Sequence, residues 1–168
     1  YVTPPGRTRF DKVHELDAES RHLVLLCRNE EGYRNLSFMV SKGFVEGFYI
    51  KPRIDMDLLR QYSGGLIALS ACLAGEIPKR LVNGNYEGAK AYALEMREIF
   101  GEDGFYLELQ DHGIRNQAVV NQGLLRLHEE TGIPLVCTND CHYLAPEDAE
   151  SHDVLLCIQT GKLVEDEK

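Results

Sequence analysis

No run of about 20 apolar residues occurs anywhere in this sequence, which excludes a helix that spans a bilayer. Neither a basic amphipathic leader nor a signal-peptide pattern opens it. Basic residues are in deficit, with 18 Lys and Arg against 27 Asp and Glu and a net charge of −9. Non-specific affinity for duplex DNA comes mostly from cations that neutralise phosphates, so the chain is not expected to hold duplex DNA by itself. Cysteine is sparse, and without a secretory leader the five thiols are expected to stay reduced in a cytoplasmic setting, with no disulfide among them. Low-complexity tracts and internal repeats are missing too. Both ends look cut, "YVTPPGRTRF" at the front and "LVEDEK" at the back, and the expectation is a fragment of a longer polypeptide.

What is present fits one soluble globular domain. A chain of 168 residues, 43% of them hydrophobic, buries roughly 70% of its unfolded surface and needs no covalent staple. Four short aliphatic or β-branched runs read as strands: residues 22–27 ("HLVLLC"), 65–71 ("GLIALSA"), 105–110 ("FYLELQ") and 133–140 ("IPLVCTND"). Each is followed by helical periodicity, over 31–40, 73–82, 86–100, 115–130 and 147–159. Asn85 is a capping residue, Gly101, Gly132 and Gly161 stand where helices stop, and Pro146 with Glu147 and Asp148 makes a favourable first turn. Pro52 denies a central-strand hydrogen bond, so residues 45–60 read as a connection plus a short helix. Strands that alternate with helices, and are apolar on both faces, predict an α/β fold of parallel βα units.

Working groups in such folds collect on the rim where strands end. In "PLVCTNDCHYL" the alternation of a strand sends Asp140 and His142 to one side, and a carboxylate with an imidazole is a metal-ligand pair. The alternative is an Asp that caps the next helix and a His that packs on its loop. Cys72, in "LSACLAGEIP", sits at a strand-to-helix junction. By itself it reads as a small buried hydrophobe, against the alternative of a thiolate near a helix N-terminus. His22 opens its strand instead of following it, and reads as a solvated edge residue. Cys27, Cys137, Cys141 and Cys157 lie in or beside apolar runs and read as structural; His14, His128 and His152 read as solvated or helix-surface residues. Asp111 and His112 follow a strand and have a minor claim on the same rim.

Taken in order, "YVTPPGRTRFD", "HLVLLCRNEEGYRNL", "GFYIKPRIDMDLL", "GLIALSACLAGEIP", "FYLELQDHG" and "IPLVCTNDCHYL…DAESHDVLLCIQTGK" resemble the PHP (polymerase and histidinol phosphatase) domain found at the front of the alpha subunit of bacterial replicative DNA polymerase III. The resemblance runs over the whole chain in unbroken order. It implies a partial, distorted seven-stranded βα barrel over residues 1–168, whose rim holds up to three divalent metals, with zinc, manganese or iron as the candidates. Four of the nine ligands of that pattern fall on His22, Cys72, Asp140 and His142, which are then expected to converge at one end of the sheet. The other five would precede Tyr1, together with about three strands. The resemblance further implies that the parent polymerises DNA and meets DNA and other replicase subunits, while the fragment alone does not hydrolyse phosphodiesters. The intact domain would be a metal-dependent phosphoesterase acting as a 3′–5′ proofreading exonuclease, or else a non-catalytic module that braces the polymerase. A stand-alone metal hydrolase is a weaker third reading. Open strand edges would favour self-association.

Overall fold

A computed structural model describes residues 1–166. The chain divides into two compact units, one of residues 1–138 and one that begins at Asn139. The interval assigned to a single fragment, 1–168, includes 167 and 168, which lie outside the described residues.

The first unit contains helix α1 (His14–Asp17), strand β1 (Val24–Cys27), helices α2 (Glu30–Val45) and α3 (Met56–Tyr62), strand β2 (Leu66–Leu69), helices α4 (Glu76–Val82) and α5 (Tyr86–Phe100), strand β3 (Phe105–Leu109), helix α6 (Arg115–Thr131) and strand β4 (Leu135–Cys137). The four strands form one sheet in the order β1-β2-β3-β4. Mixed α/β architecture is what the alternating pattern predicts.

The directions are only partly as expected. β2 and β3 are parallel, as are β3 and β4, but β1 runs antiparallel to β2, with Val24 opposite Leu69 and Cys27 opposite Leu66. Uniformly parallel βα units are therefore corrected at the first pair. The cause is the path between the two strands. A single crossover helix returns the chain to the starting end of a sheet, whereas α2 and α3 together bring it back to the end it left. Arg28 N–H donates to Gly65 O at 2.8 Å, so β2 starts where β1 stops. At that junction a Cβ on Gly32 would lie 1.9 Å from Gly65 O; only a glycine lets the first turn of α2 pass so close.

Helix ends follow local chemistry. Asn29, Asp55 and Asn85 each accept a hydrogen bond from the amide three residues on, satisfying donors that the first turn leaves unpaired. α5 begins and ends as the sequence predicts, and Ala89, Tyr92, Ala93 and Met96 form its buried stripe. α2 runs five residues past the expected end at Val40, and α4 starts at Glu76, not Leu73. In α4, Pro78 lies in the first turn, where its missing N–H costs little.

The main core packs α4, α5 and α6 on the sheet through Ile77, Leu81, Met96, Phe105, Leu107, Leu124 and Leu127. A second cluster joins Val2, Met39, Ile54, Leu58, Leu59 and Leu66. Fully burying one such side chain contributes about 1.5–3 kcal/mol. A charged cluster ties the loops to this second core. The fully buried Arg53 donates to the carbonyls of Gly47, Asp17 and Asp11 at 3.2, 3.1 and 2.8 Å, and Arg9 pairs with Asp55 and Glu46.

The second unit holds a 3-10 turn (Pro146–Asp148) and helix α7 (Ala149–Thr160). Asp148 accepts from Ala145 N–H at 3.0 Å, and Gly161 ends α7 in the left-handed conformation. Among the described residues no helix is long and apolar enough to cross a membrane.

Candidate metal centre

Antiparallel pairing explains how His22 comes to lie beside Cys72. Because β1 runs against β2, the entry of β1 lies beside the exit of β2, and a histidine that opens one strand meets a cysteine that follows the other. His22 N–H donates to Ala74 O at 3.0 Å, and His22 forms a parallel bridge with Gly75. Arg21, the preceding residue, is pinned from two directions: its backbone exchanges hydrogen bonds of 2.8 Å with Val2, and its Nε reaches Glu76 Oε2 at 2.7 Å. Glu76 is buried and is also held by Arg80 Nε at 2.5 Å.

On the other side, residues 70–75 fold back on themselves. Gly75 N–H donates to Cys72 O at 2.8 Å, and a Cβ on Gly75 would stand 2.3 Å from Ser70 O. Position 75 therefore accepts only glycine. The outcome is a thiol and an imidazole side by side, Cys72 Sγ to His22 Nδ1 at 3.5 Å. The Tyr1 ring stands edge-on to His22, with centroids 5.2 Å apart.

Asp140 and His142 form the second donor pair, in the second unit. Asp140 takes a positive φ of 43°, and its Oδ1 lies 3.6 Å from His142 Nε2. Both side chains are substantially exposed, 42% and 64%. The His152 ring lies near His142 and Tyr143, with centroids at 5.8 and 5.4 Å. So His152 belongs to a small ring cluster.

The donor chemistry fits a borderline divalent ion. Two donors of a tetrahedral zinc, at the usual Zn–S and Zn–N lengths, stand about 3.6 Å apart, close to the 3.5 Å between Cys72 and His22. Thiolate and imidazole side by side suit a borderline ion such as zinc better than calcium. Among the described residues no group of three or more His, Cys, Asp or Glu side chains is gathered as a metal cage.

Other candidates have local employment. Gln117 clamps His112 through two contacts of 2.8 Å, and Asp111 accepts from Gly113 N–H at 3.1 Å. His128 Nδ1 lies 2.8 Å from Ile133 O. All five cysteines are free thiols; Cys157 is buried, whereas Cys27, Cys137 and Cys141 are exposed despite their apolar neighbours. The sequence reading missed Glu108. It is buried one residue before the end of β3, and its carboxylate accepts from Ala71 N–H, Gln110 Nε2 and Thr138 Oγ1 at 3.0, 3.2 and 2.5 Å. An acid inside "FYLELQ" was the only available signal.

These features define an α/β domain with paired donors of the kind that bind divalent metals. A family model described as "PHP domain" matches residues 7–112, more than half of the chain, and the chain belongs to the PHP domain family. The matched interval includes His22 and Cys72. Among curated proteins, the DNA polymerase III subunit alpha of Treponema pallidum is 45% identical over 96% of this chain, that of Borreliella burgdorferi 47% over 93%, and that of Thermus aquaticus 44% over 96%. The chain spans only 13–14% of the length of these relatives.

Proposed function

We propose that the chain is part of a DNA polymerase III alpha subunit and works in bacterial chromosome replication, in the cytoplasm. The similarity to alpha subunits across 93% or more of the chain carries this reading. The parent would polymerise DNA and meet DNA and other replicase subunits; the acidic fragment would meet DNA only through that parent. Within it, the chain would form the later part of a distorted seven-stranded barrel, and separated from it the open strand edges would favour self-association.

The finer reading is a metal-dependent phosphoesterase that removes nucleotides from a 3′ end. His22 and Cys72 would hold a divalent ion (zinc, manganese or iron), and Asp140 and His142 are further metal donors that the family pattern implies. An ion held there would polarise a phosphoryl oxygen and neutralise developing charge. The protein's own contribution is orientation. The His22 backbone bond to Ala74 and the turn at Gly75 fix thiol and imidazole before any ligand arrives, which reduces the ordering cost of binding.

A second reading is a bracing module without catalysis. It draws on the exposed apolar residues Phe44, Val45, Phe48 and Ile50, which are 57, 81, 51 and 53% accessible and would suit a protein neighbour. The deciding experiment assays the full-length parent, with manganese or zinc, on 3′-recessed DNA. Hydrolysis that falls at least about 100-fold in Asp140→Asn supports the phosphoesterase. Hydrolysis unaffected by that change sinks the role of Asp140 as a metal donor, and an inert, metal-free parent supports the brace.

A further inference from the structure

The turn that presents Cys72 is strained. Ala71 has φ +64°, a left-handed conformation that a residue with a Cβ adopts only under strain. Something must hold it, and both Ala71 and the preceding Ser70 are tied to Glu108 of β3. Ser70 Oγ accepts from Glu108 N–H at 2.8 Å, and Ala71 N–H donates to Glu108 Oε2 at 3.0 Å. The other carboxylate oxygen is occupied by Gln110 Nε2 and Thr138 Oγ1. Glu108 is only 5% accessible, and all the donors it meets are neutral groups. A lone carboxylate buried in a strand is expensive to keep. Its placement is explained if the turn needs a fixed acceptor.

We propose that Glu108 is a positioning residue, whose buried carboxylate grips the Ala71 amide and so fixes the turn that presents the Cys72 thiol beside His22. The inference rests on the reading of His22 and Cys72 as metal donors. Glutamine at 108 retains one acceptor for Ala71, and Gln110 Oε1, which has no hydrogen-bond partner among the described residues, can turn to accept the new N–H. Aspartate retains the charge but is one methylene too short. Leucine removes the acceptor altogether.

The test uses the full-length parent. Alkylation of Cys72 by N-ethylmaleimide is followed by mass spectrometry, with and without zinc ion, and hydrogen exchange is read on peptides covering residues 69–74 and 86–100. Glu108→Leu and Glu108→Asp should raise the zinc concentration that half-protects Cys72 by about 10- to 100-fold. Exchange over 69–74 should quicken by about tenfold or more, with 86–100 unchanged, while Glu108→Gln stays within about threefold of the parent on both readouts. If leucine prevents folding, aspartate against glutamine decides. Equal behaviour of all three variants and the parent overturns the proposal, as does glutamine failing like aspartate, or exchange rising equally over 86–100. Should zinc fail to protect Cys72 even in the parent, the metal reading falls. Exchange and unprotected alkylation then judge Glu108 alone, and no difference between aspartate and parent overturns it.

Discussion

Asp17, with a fully buried side chain, is met by the guanidinium of Arg7 through bonds of 2.7 and 2.6 Å, with Arg53 nearby as a second cation. Glu108, also buried, is met by a backbone amide, a side-chain amide and a hydroxyl. The first arrangement neutralises a charge and thereby locks loops together. The second leaves a charge dependent on three neutral donors, and one of these belongs to the strained turn before Cys72. Stability and placement are thus assigned to different acids within one unit.

The largest break in this comparison comes from Arg53. Its side chain is fully buried, and three backbone carbonyls depend on it. Burial pulls the guanidinium below its ordinary pKa, while Asp17 opposes that shift. Arg53→Met should strand those carbonyls and weaken the loops around Asp11 and Gly47, at a cost of about 3–5 kcal/mol. A denaturant midpoint that hardly moves would refute the locking role.

Glu108→Leu should cost less, about 1–3 kcal/mol, since the groups it leaves unpaired are neutral. The same denaturation measurement checks it. A loss as large as that from Arg53→Met would erase the distinction between the two acids.

Acid pH tests the Asp17 arrangement by itself. The Arg7 hydrogen bonds hold the Asp17 carboxyl at about 2, down from 3.8. A folded-state pKa below the unfolded one means that the unfolded state binds the proton more readily, so stability is lost as pH falls. Asp17 therefore contributes its full share above about pH 4 and loses it between about pH 4 and pH 2. Asp17→Asn should flatten that part of a stability-against-pH curve. An unchanged slope would mean that other carboxylates govern the acid limb, Glu130 first among them, since Lys90 and Arg126 hold it at about 2 as well.

Much of the fold was legible in the sequence, and what was not has identifiable causes. α5 was readable at both ends because Asn85 and Gly101 act within a turn of the helix they bound. The direction of β1 was not readable, since it depends on a two-helix return and on Gly32 fitting against Gly65, residues 33 positions apart. That one reversal also made His22 look misplaced when judged by strand order. Cys72 resembled a core residue for a similar reason; its turn is set by Gly75 locally, but by Glu108 from another strand. For Glu108 the sequence offered only the oddity of an acid inside an apolar run. Its partners lie at positions 70, 71, 110 and 138, and nothing in a single sequence announces their meeting.

The smallest expected effect sharpens the comparison most, because it alters strain without touching either acid. Ala71 holds φ +64° and is buried to 4% accessibility, so its methyl group fills little volume while its Cβ is the source of the strain. Glycine adopts that conformation freely. Ala71→Gly removes the native strain and raises the entropy of the unfolded chain, and the two effects oppose each other, leaving a net stabilisation of at most about 1 kcal/mol. The effect should also depend on Glu108. With the carboxylate present the turn is already held, and glycine changes little in the exchange of residues 69–74; in Glu108→Leu, where nothing holds Ala71 against the clash of its own Cβ, glycine should restore part of the protection that the leucine variant loses. A double-mutant cycle reads this coupling directly. Strict additivity of Ala71→Gly and Glu108→Leu would mean that the acid and the strained residue act independently, and the division between an acid that stabilises and an acid that places would lose its second half.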